Sequence, residues 1–353
     1  MKTAALILFT LIPSLTFGQG LERTHLIGTA NADRAAAWNG HIEYASWLDD
    51  ETIVYWRKTG ELTCWSLTNK KAVWSLQDVH NVSDWSVCRN KGRLAILYKE
   101  NADTFSDKRV QVINCVDGKA LLNADATALA MLMGTDHALP TRIALTPTDA
   151  KLILCNFGLH FASNGYVICP NYKKLELSFR IDASPSELSV SPNGSRVTVL
   201  ADTKVICIHD IQNDTQVYFR GDRIRERPDS ITSVIDAPFM SHARHDGADI
   251  LIYTIDNSWS TGKVFIRDLK TNNGTSFDAR NGHIEIDVDF ARKRVVLTGT
   301  SAGLALLKFD GSVLAHMPKA TLQRNACVAF SPSGKQLLIG SWDNTVSVFE
   351  IGE

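Results

Sequence analysis

The stretch CVAFSPSGKQLLIGSWDNTVSVFE, residues 327–350, decides the fold of this chain. Two turn sequences, Ser331–Gly334 and Asp343-Asn344, divide it into three short apolar runs. Apolar residues alternate with polar or small ones in the first and third runs, which indicates strands with one buried face. The stretch therefore predicts three strands joined by tight turns.

The same order of strand, turn and strand recurs along the chain. SVSPNGSRVTVL, residues 189–200, matches it closely, and IALTPTDAKLIL, residues 143–154, matches it with a looser turn. The pentapeptide Asn39–Glu43 also returns unchanged as Asn281–Glu285, and residues 41–67 align with 283–309 without a gap. Repetition at this scale is typical of repeat architectures.

These repeats resemble those of the WD-repeat family, whose unit is one four-stranded blade of a β-propeller. The Gly40-His41 and Gly282-His283 pairs are similar to the dipeptide that precedes the first strand of such repeats. One departure is clear, because the dipeptide Trp342-Asp343 lies at a second-to-third strand turn and no repeat ends in Trp-Asp. The resemblance implies a fold used mostly as an interaction scaffold, and it carries over no particular partner.

Seven first strands are predicted, at a mean spacing of roughly 47 residues against ~40–45 for such blades. They are centred near Ala45, Ser86, Ala144, Ser189, Val234, Asp287 and Ala329. We therefore expect an all-β fold, a single seven-bladed β-propeller of four-stranded antiparallel blades.

Residues 1–18 have the composition of a signal peptide. Lys2 precedes an apolar run from Ala4 to Leu11, and small residues around Gly18 favour cleavage before Gln19. The run is short for a bilayer span. We expect residues 19–353 to form the propeller, exported to the periplasm or the extracellular space and not spanning a membrane after processing.

Charge argues against nucleic acid as a partner. The formal net charge is −1, and the basic residues are dispersed instead of forming a stripe.

The seven cysteines have no metal-like spacing. Buried free thiols are the favoured interpretation. A Cys155–Cys169 disulfide across neighbouring strands of the third blade is the alternative.

Five of the eight tryptophans are spaced by nine residues, from Trp38 to Trp74. This spacing predicts that Trp47, Trp56, Trp65 and Trp74 lie one on each strand of the first blade. With turns midway between them, the four indoles would share one sheet face and pack against a neighbouring blade.

Catalytic and metal-binding sequence patterns are sparse, so no catalytic residue, metal site or cofactor is predicted. The best metal-like group, His242–Asp246, is expected on a loop between the first and second strands of the fifth blade, where its spacing fixes no common face. His41 and His283 are expected to anchor their own turns by hydrogen bonds.

The candidate binding surface is the loop Arg220–Asp229 between the fourth and fifth blades. Its binding residues are predicted to be Arg220, Asp222, Arg223, Arg225 and Arg227, because arginine suits paired recognition of carboxylates or phosphates. The competing interpretation is a solvent-exposed linker whose positive and negative charges compensate one another. Two insertions, Ala124–Pro140 and Asp256–Gly262 with Trp259, are expected to enlarge the same rim.

Two functions stay open at this point. The favoured one is a monomeric, non-catalytic exported propeller that binds a protein or peptide through its rim and channel mouth. The other is an exported enzyme of the hydrolase or lactonase type, with inward carboxylates and a divalent cation in the central channel. Acidic residues of several blades meeting in the channel would favour the second.

Overall fold

The computed structural model describes residues 20–28, 40–100, 108–135, 140–156, 163–181, 184–201, 205–220, 223–225, 239–258, 261–280, 285–299, 303–317 and 325–352. Within them the chain forms seven antiparallel sheets, which are the seven blades of a β-propeller. The first strand of each blade contacts the first strands of both neighbours, and these contacts close into a ring around a central channel.

The strands are numbered in chain order. The first and innermost strands are β2 (Ile42–Trp47), β6 (Asp84–Cys88), β10 (Pro140–Leu145), β14 (Pro185–Val190), β19 (Phe239–His245), β23 (Glu285–Asp289) and β27 (Asn325–Phe330). The second strands are β3 (Thr52–Arg57), β7 (Arg93–Lys99), β11 (Leu152–Asn156), β15 (Arg196–Ala201), β20 (Ile250–Ser258), β24 (Arg294–Gly299) and β28 (Gln336–Ser341). The third strands are β4 (Glu61–Ser66), β8 (Lys108–Asn114), β12 (Ser163–Ile168), β16 (Val205–Asp210), β21 (Thr261–Asp268), β25 (Gly303–Lys308) and β29 (Val346–Ile351). The outer strands are β5 (Lys71–Leu76), β9 (Ala120–Asp125), β13 (Leu175–Ile181), β17 (Thr215–Arg220), β22 (Gly274–Arg280), β26 (Val313–Met317) and β1 (Leu21–Ile27).

The ring is closed by the N-terminal strand. The three strands predicted from residues 327–350 are β27, β28 and β29, and β1 pairs antiparallel with β29 to complete blade seven. Leu21 lies opposite Ile351, so the two ends of the described chain meet in one sheet. No repeat signal marks β1, because it has neither the turn nor the second strand that identifies the other blades.

The predicted hairpin turns form as expected. Gly194 and Gly334 donate to the carbonyls of Ser191 and Ser331 at 2.8 Å. Both glycines have positive φ, 72° and 67°, a conformation that residues with a Cβ atom rarely adopt.

The core consists of seven apolar clusters, one between each pair of neighbouring blades. The cluster across the closing seam joins Ile27 and Leu338 of blade seven to Ile42 and Trp47 of blade one. A sheet with both faces buried explains why second strands such as β3, β7, β11 and β28 contain continuous apolar runs.

The tryptophan prediction is half right. Each of the four residues lies on its own strand of blade one, but they occupy two faces: Trp47 and Trp65 pack toward blade seven, and Trp56 and Trp74 toward blade two. Trp47 lies opposite Ile53 and not opposite Trp56. The real turns are displaced from the midpoints, and an odd shift in register reverses the face of a side chain.

The alternative of a Cys155–Cys169 disulfide is wrong, since both cysteines are free. Cys155 lies opposite Gly165, whereas Cys169 follows β12 and its Sγ atom lies 2.6 Å from Oδ1 of Asn171. All seven cysteines are free thiols, as the favoured interpretation predicts, but only five are buried, and Cys169 and Cys327 are half-buried.

The insertion before blade three contains the helix α1 (Ala126–Met133). The side chain of Asp125 accepts a hydrogen bond from the amide of Ala128 at 2.8 Å, and Gly134 ends the helix in the left-handed conformation. Leu129 and Met133 bury the helix against blades two and three. None of the helices in the described part of the chain has the length and apolar character that a membrane span requires.

Two other expectations need correction. The inner strand of blade five is β19, further along the chain than Val234, which lies outside the described residues. The segment Asp256–Gly262 is not a separate insertion, because β20 and β21 continue as one long hairpin with Ser258 opposite Thr261.

Candidate functional site

A cavity of about 720 Å³ occupies the channel, lined by residues of all seven blades. It lies at the end where the inner strands begin, as the presence of His41, Ser83 and Glu285 in its wall indicates. At the opposite end, the guanidinium group of Arg89 donates to the carbonyl oxygens of Trp47 at 3.2 Å and Phe330 at 3.1 Å. Arg89 of blade two thus lies across the channel to blades one and seven and forms a floor.

Bulges in the inner strands shape the cavity wall. The strand register shifts next to Glu43 in β2, Ser186 in β14 and His242 in β19, and all three residues line the cavity. A bulge leaves a residue without a cross-strand partner and re-aims its side chain. The side chains of these three residues therefore depart from the regular alternation of a strand between its two faces.

The most tightly bonded group in the wall joins blades four and five. Glu187 accepts hydrogen bonds from the amide of Ala243 at 2.7 Å and from Nη1 of Arg244 at 2.5 Å, and Nδ1 of His242 lies 2.9 Å from its Oε1. Burial acts to raise the pKa of Glu187, but the charges of Arg244 and His242 outweigh it and lower that pKa to about 2. For His242, burial lowers the pKa and the Glu187 carboxylate more than compensates, so the pKa is raised.

This group corrects the prediction for His242–Asp246. The residues up to His245 are part of the inner strand β19 and not of a loop, and His242 faces the channel. His245 is buried, and burial lowers its pKa to about 4. Its Nδ1 accepts a hydrogen bond from the amide of Gly247 at 2.8 Å.

A second wall group joins blades two and three. The carboxylate of Asp84 accepts from the amides of Ile143 at 2.8 Å and Trp85 at 2.9 Å. Burial raises the pKa of Asp84 to about 7, although the charge of Arg142 acts in the opposite direction. Arg142 itself donates through Nε to the carbonyl oxygen of Ser186 at 2.6 Å and so reaches blade four.

A third carboxylate repeats this arrangement between blades six and seven. Asp287 accepts from the amide of Phe330 at 2.7 Å, and burial raises its pKa. Blades two, four and six thus each supply one carboxylate to a backbone amide of the following blade.

The remaining wall, around blade seven, is more open. Glu43 and Glu285 line it, and the side chain of Glu43 is 41% exposed. The ring of His41 stacks on Trp342 at 5.3 Å between centroids, while its carbonyl oxygen accepts from the amide of Lys58. His41 therefore borders the cavity. Its expected anchoring of its own turn stays a prediction, because the bond to Lys58 uses the backbone carbonyl, and His283 lies outside the described residues.

The predicted binding residues are only partly described. Backbone strand β17 ends at Arg220, and a fifth strand β18 (Arg223–Arg225) pairs with it, placing Arg223 opposite Arg220. Asp222, Arg227 and Trp259 lie outside the described residues, so the proposed arginine site stays a prediction. The outer strand β17 ends, and the inner strand β19 begins, on the side of the propeller that holds the cavity.

Asp84, Arg142, Glu187 and Arg244 were not predicted as wall residues. Their signal is a charged residue on a first strand, within its first three residues for Asp84, Arg142 and Glu187 and next to its last residue for Arg244, at a position that could equally face solvent. Only the closure of the ring brings these positions together.

No protein-family model and no curated protein matches the sequence. Among solved structures, the chain is similar to the crystal structure of the β-propeller domain of Cps50 (Swd1) from Myceliophteria thermophila. The TM-score is 0.63, and the match covers 94% of this chain and 99% of that chain at 11% sequence identity. At this identity the likeness establishes the fold alone, a β-propeller.

Proposed function

We propose that this propeller is a protein- or peptide-binding scaffold whose partner docks at the open end of the channel. The observation that carries the proposal is the cavity of about 720 Å³, which residues of all seven blades line and Arg89 floors. Such a volume lies within the ~300–1,000 Å³ of typical ligand sites. The partner contributes a chain segment to the cavity and a larger surface to the rim.

The metal-assisted enzyme is the second candidate, and one observation speaks for it. Five carboxylates, of Glu43, Asp84, Glu187, Glu285 and Asp287, line the cavity. Three of them, Asp84, Glu187 and Asp287, already accept backbone hydrogen bonds that join blades. Among the described residues, no group of three His, Cys, Asp or Glu side chains is placed to hold a metal ion. Asp84, Glu187 and Asp287 therefore fit a structural role better, and binding is the favoured function.

Export is part of the proposal and rests on residues 1–18. Cleavage before Gln19 would leave β1, which begins at Leu21, intact in the processed protein. Sequencing the N-terminus of the protein from its native host tests this point. A chain beginning at Gln19 supports export, and an uncleaved Met1 contradicts it.

Binding at the cavity is tested with a side chain that fills its mouth. Ser83 is exposed and lines the cavity, so Ser83→Trp obstructs the entrance with little disturbance of the core. Ser178→Trp, on the outer strand β13 and exposed, is the matched control. Proteins captured from the native host's extract are identified by mass spectrometry, purified and bound again to each variant.

We expect a purified partner that binds the wild type and Ser178→Trp and is lost by Ser83→Trp. Equal binding to all three would contradict a channel site. A further variant with alanine at Arg220, Arg223, Arg225 and Arg227 tests the rim: selective loss of the same partner would add that loop to the binding surface.

A further inference from the structure

The charged groups that face the cavity are divided by blade. Arg142, His242 and Arg244, on blades three and five, form what we call the basic wall. Glu187 is bonded to two of its members, while Asp84 and Asp287, whose pKa values burial raises, act on Arg142 and Arg244. Glu43 and Glu285, on blades one and six, form the acidic wall.

Donors of the basic wall remain available for a ligand. Arg142 donates through Nε and Nη1, and Arg244 through Nη1, to groups of the wall itself. Within the part of the chain that the structure describes, the Nη2 groups of both arginines have no hydrogen-bond partner. Paired guanidinium N–H groups match the geometry of a carboxylate.

The acidic wall flanks blade seven. Glu285 is exposed, and both Glu285 and Glu43 act on the thiol of Cys327, which lies on the inner strand between their blades. Burial, aided by these two charges, raises the pKa of Cys327 to about 12. The two carboxylates therefore border one stretch of the cavity wall.

The acidic wall adjoins the basic wall on one side of the ring, because blade six, which carries Glu285, is the neighbour of blade five, which carries His242 and Arg244. The charge of Glu285 acts to raise the pKa of His242 and of Arg244, so its field reaches the basic wall. The ion-pair partner of both residues among the described side chains is Glu187, at 2.9 Å and 2.5 Å, and not Glu285. Glu285 thus acts on the basic wall without forming an ion pair with it among the described side chains.

We infer that the cavity binds a ligand that carries a carboxylate and a cationic group together, namely the C-terminal end of a peptide with a lysine or arginine among its last residues. The terminal carboxylate meets Arg142 and Arg244, and the cationic side chain meets Glu43 and Glu285. This inference rests on the proposed function and names the part of the partner that enters the channel. The cavity holds a few residues of chain and no folded domain.

Four fluorescein-labelled hexapeptides test the inference by fluorescence anisotropy. They share one sequence, with the penultimate residue lysine or norleucine and the C-terminus a free acid or an amide. We expect the free-acid lysine peptide to bind wild type at least about tenfold more tightly than either singly altered peptide, a difference of about 1.4 kcal/mol. Free lysine serves as a competitor. If free lysine displaced the peptide when both are at the same concentration, the ligand would be a small zwitterion and not a chain end.

Protein variants assign each half of the ligand to its wall. Glu285→Gln should abolish the preference for lysine over norleucine and keep the preference for the free acid. Arg142→Lys should weaken the preference for the free acid and keep that for lysine. Asp278→Asn, a carboxyl on the outer strand β22 with a side chain 77% exposed, is the charge control and should change neither.

Chemical denaturation of each variant verifies folding, and the peptide comparisons on wild type stand by themselves if a variant unfolds. Equal affinity for all four peptides, or no binding at millimolar concentration, overturns the inference. The proposed function would survive that result if the purified partner still distinguished Ser83→Trp from Ser178→Trp. If the purified partner instead bound Ser83→Trp and Ser178→Trp equally while the peptide preferences remained, only the larger docking surface would be contradicted.

Discussion

The carboxyl group of Asp84 is held by the amides of Trp85 and Ile143 inside the channel wall. Its pKa is raised to about 7 in the folded protein, against about 3.9 for an unperturbed aspartate. The folded state therefore binds a proton more strongly than the unfolded state. The contribution of this group to stability falls as the pH rises from about 4 to about 7.

The variant Asp84→Asn removes this ionisation and keeps an oxygen that accepts from Ile143. We expect it to be more stable than wild type at pH 8 by about 1 kcal/mol or more, with a smaller difference at pH 5. Urea denaturation at the two pH values measures this change. Asp278→Asn should show no such dependence, and a difference for Asp84→Asn that does not change with pH would contradict the prediction.

Arg244 compensates the buried charge of Glu187, so removing one partner should lower the free energy of unfolding more than removing both. Arg244→Gln should lower the free energy of unfolding by about 3–5 kcal/mol, because it leaves a carboxylate in the wall with fewer donors. The double variant Glu187→Gln/Arg244→Gln should lose less. Denaturant unfolding at neutral pH measures both, and a double variant no more stable than the single one would refute this reasoning.

Among individual residues, turn positions were the easiest to predict. Gly194 and Gly334 lie in the turns where Pro-Asn-Gly and Ser-Pro-Ser-Gly indicate them, since turn chemistry is local. Cavity residues such as Glu187 and His242 were not predicted as a group. Their meeting depends on strand bulges and on ring closure, and neither leaves a local pattern.

At the level of the element, the tryptophans of blade one show the limit of spacing arguments. Nine-residue spacing placed Trp47, Trp56, Trp65 and Trp74 on the correct strands. The faces were wrong, because the residue opposite Trp47 is Ile53 and register depends on turn length to a single residue. Strand existence is therefore predictable here, and strand facing is not.

The helix α1 depends on its N-terminal cap. Asp125→Ala removes the acceptor for the amide of Ala128 and should destabilise the first turn by about 1 kcal/mol. Hydrogen exchange should then increase at the amides of α1 and little in the adjoining strand β9. Asp125→Asn retains a capping oxygen and is the control; equal exchange in both variants would show that the cap does not hold the helix.

For the molecule as a whole, β1 decides whether the ring is closed. Deletion of residues 1–27 removes Leu21 and Ile27 from the core and leaves β29 with an unpaired edge. We expect this protein to aggregate or to unfold at a markedly lower temperature. Deletion of residues 1–18 keeps β1 and should leave the melting temperature of the processed protein unchanged.

Thermal unfolding and size-exclusion chromatography compare the two deletions. Equal stability would show that β1 is dispensable for closure.

The blade count was predictable from the sequence because each repeat carries its own turns. The strand β1 was not predictable, because its partner β29 lies more than three hundred residues away in the chain.

The three carboxylate links divide the ring into couples: blades two and three, four and five, six and seven. Seven is an odd number, so blade one, beside the seam, falls outside these couples. Its own carboxylate link runs to blade seven, where the amide of Ser333 donates to Asp50 at 3.0 Å. Indoles also join it to its neighbours, with Trp47 donating to Ala329 in blade seven and Trp74 to Cys115 in blade two. Loss of one blade from a couple would leave a buried carboxylate or an amide without its partner, whereas loss of a whole couple would not.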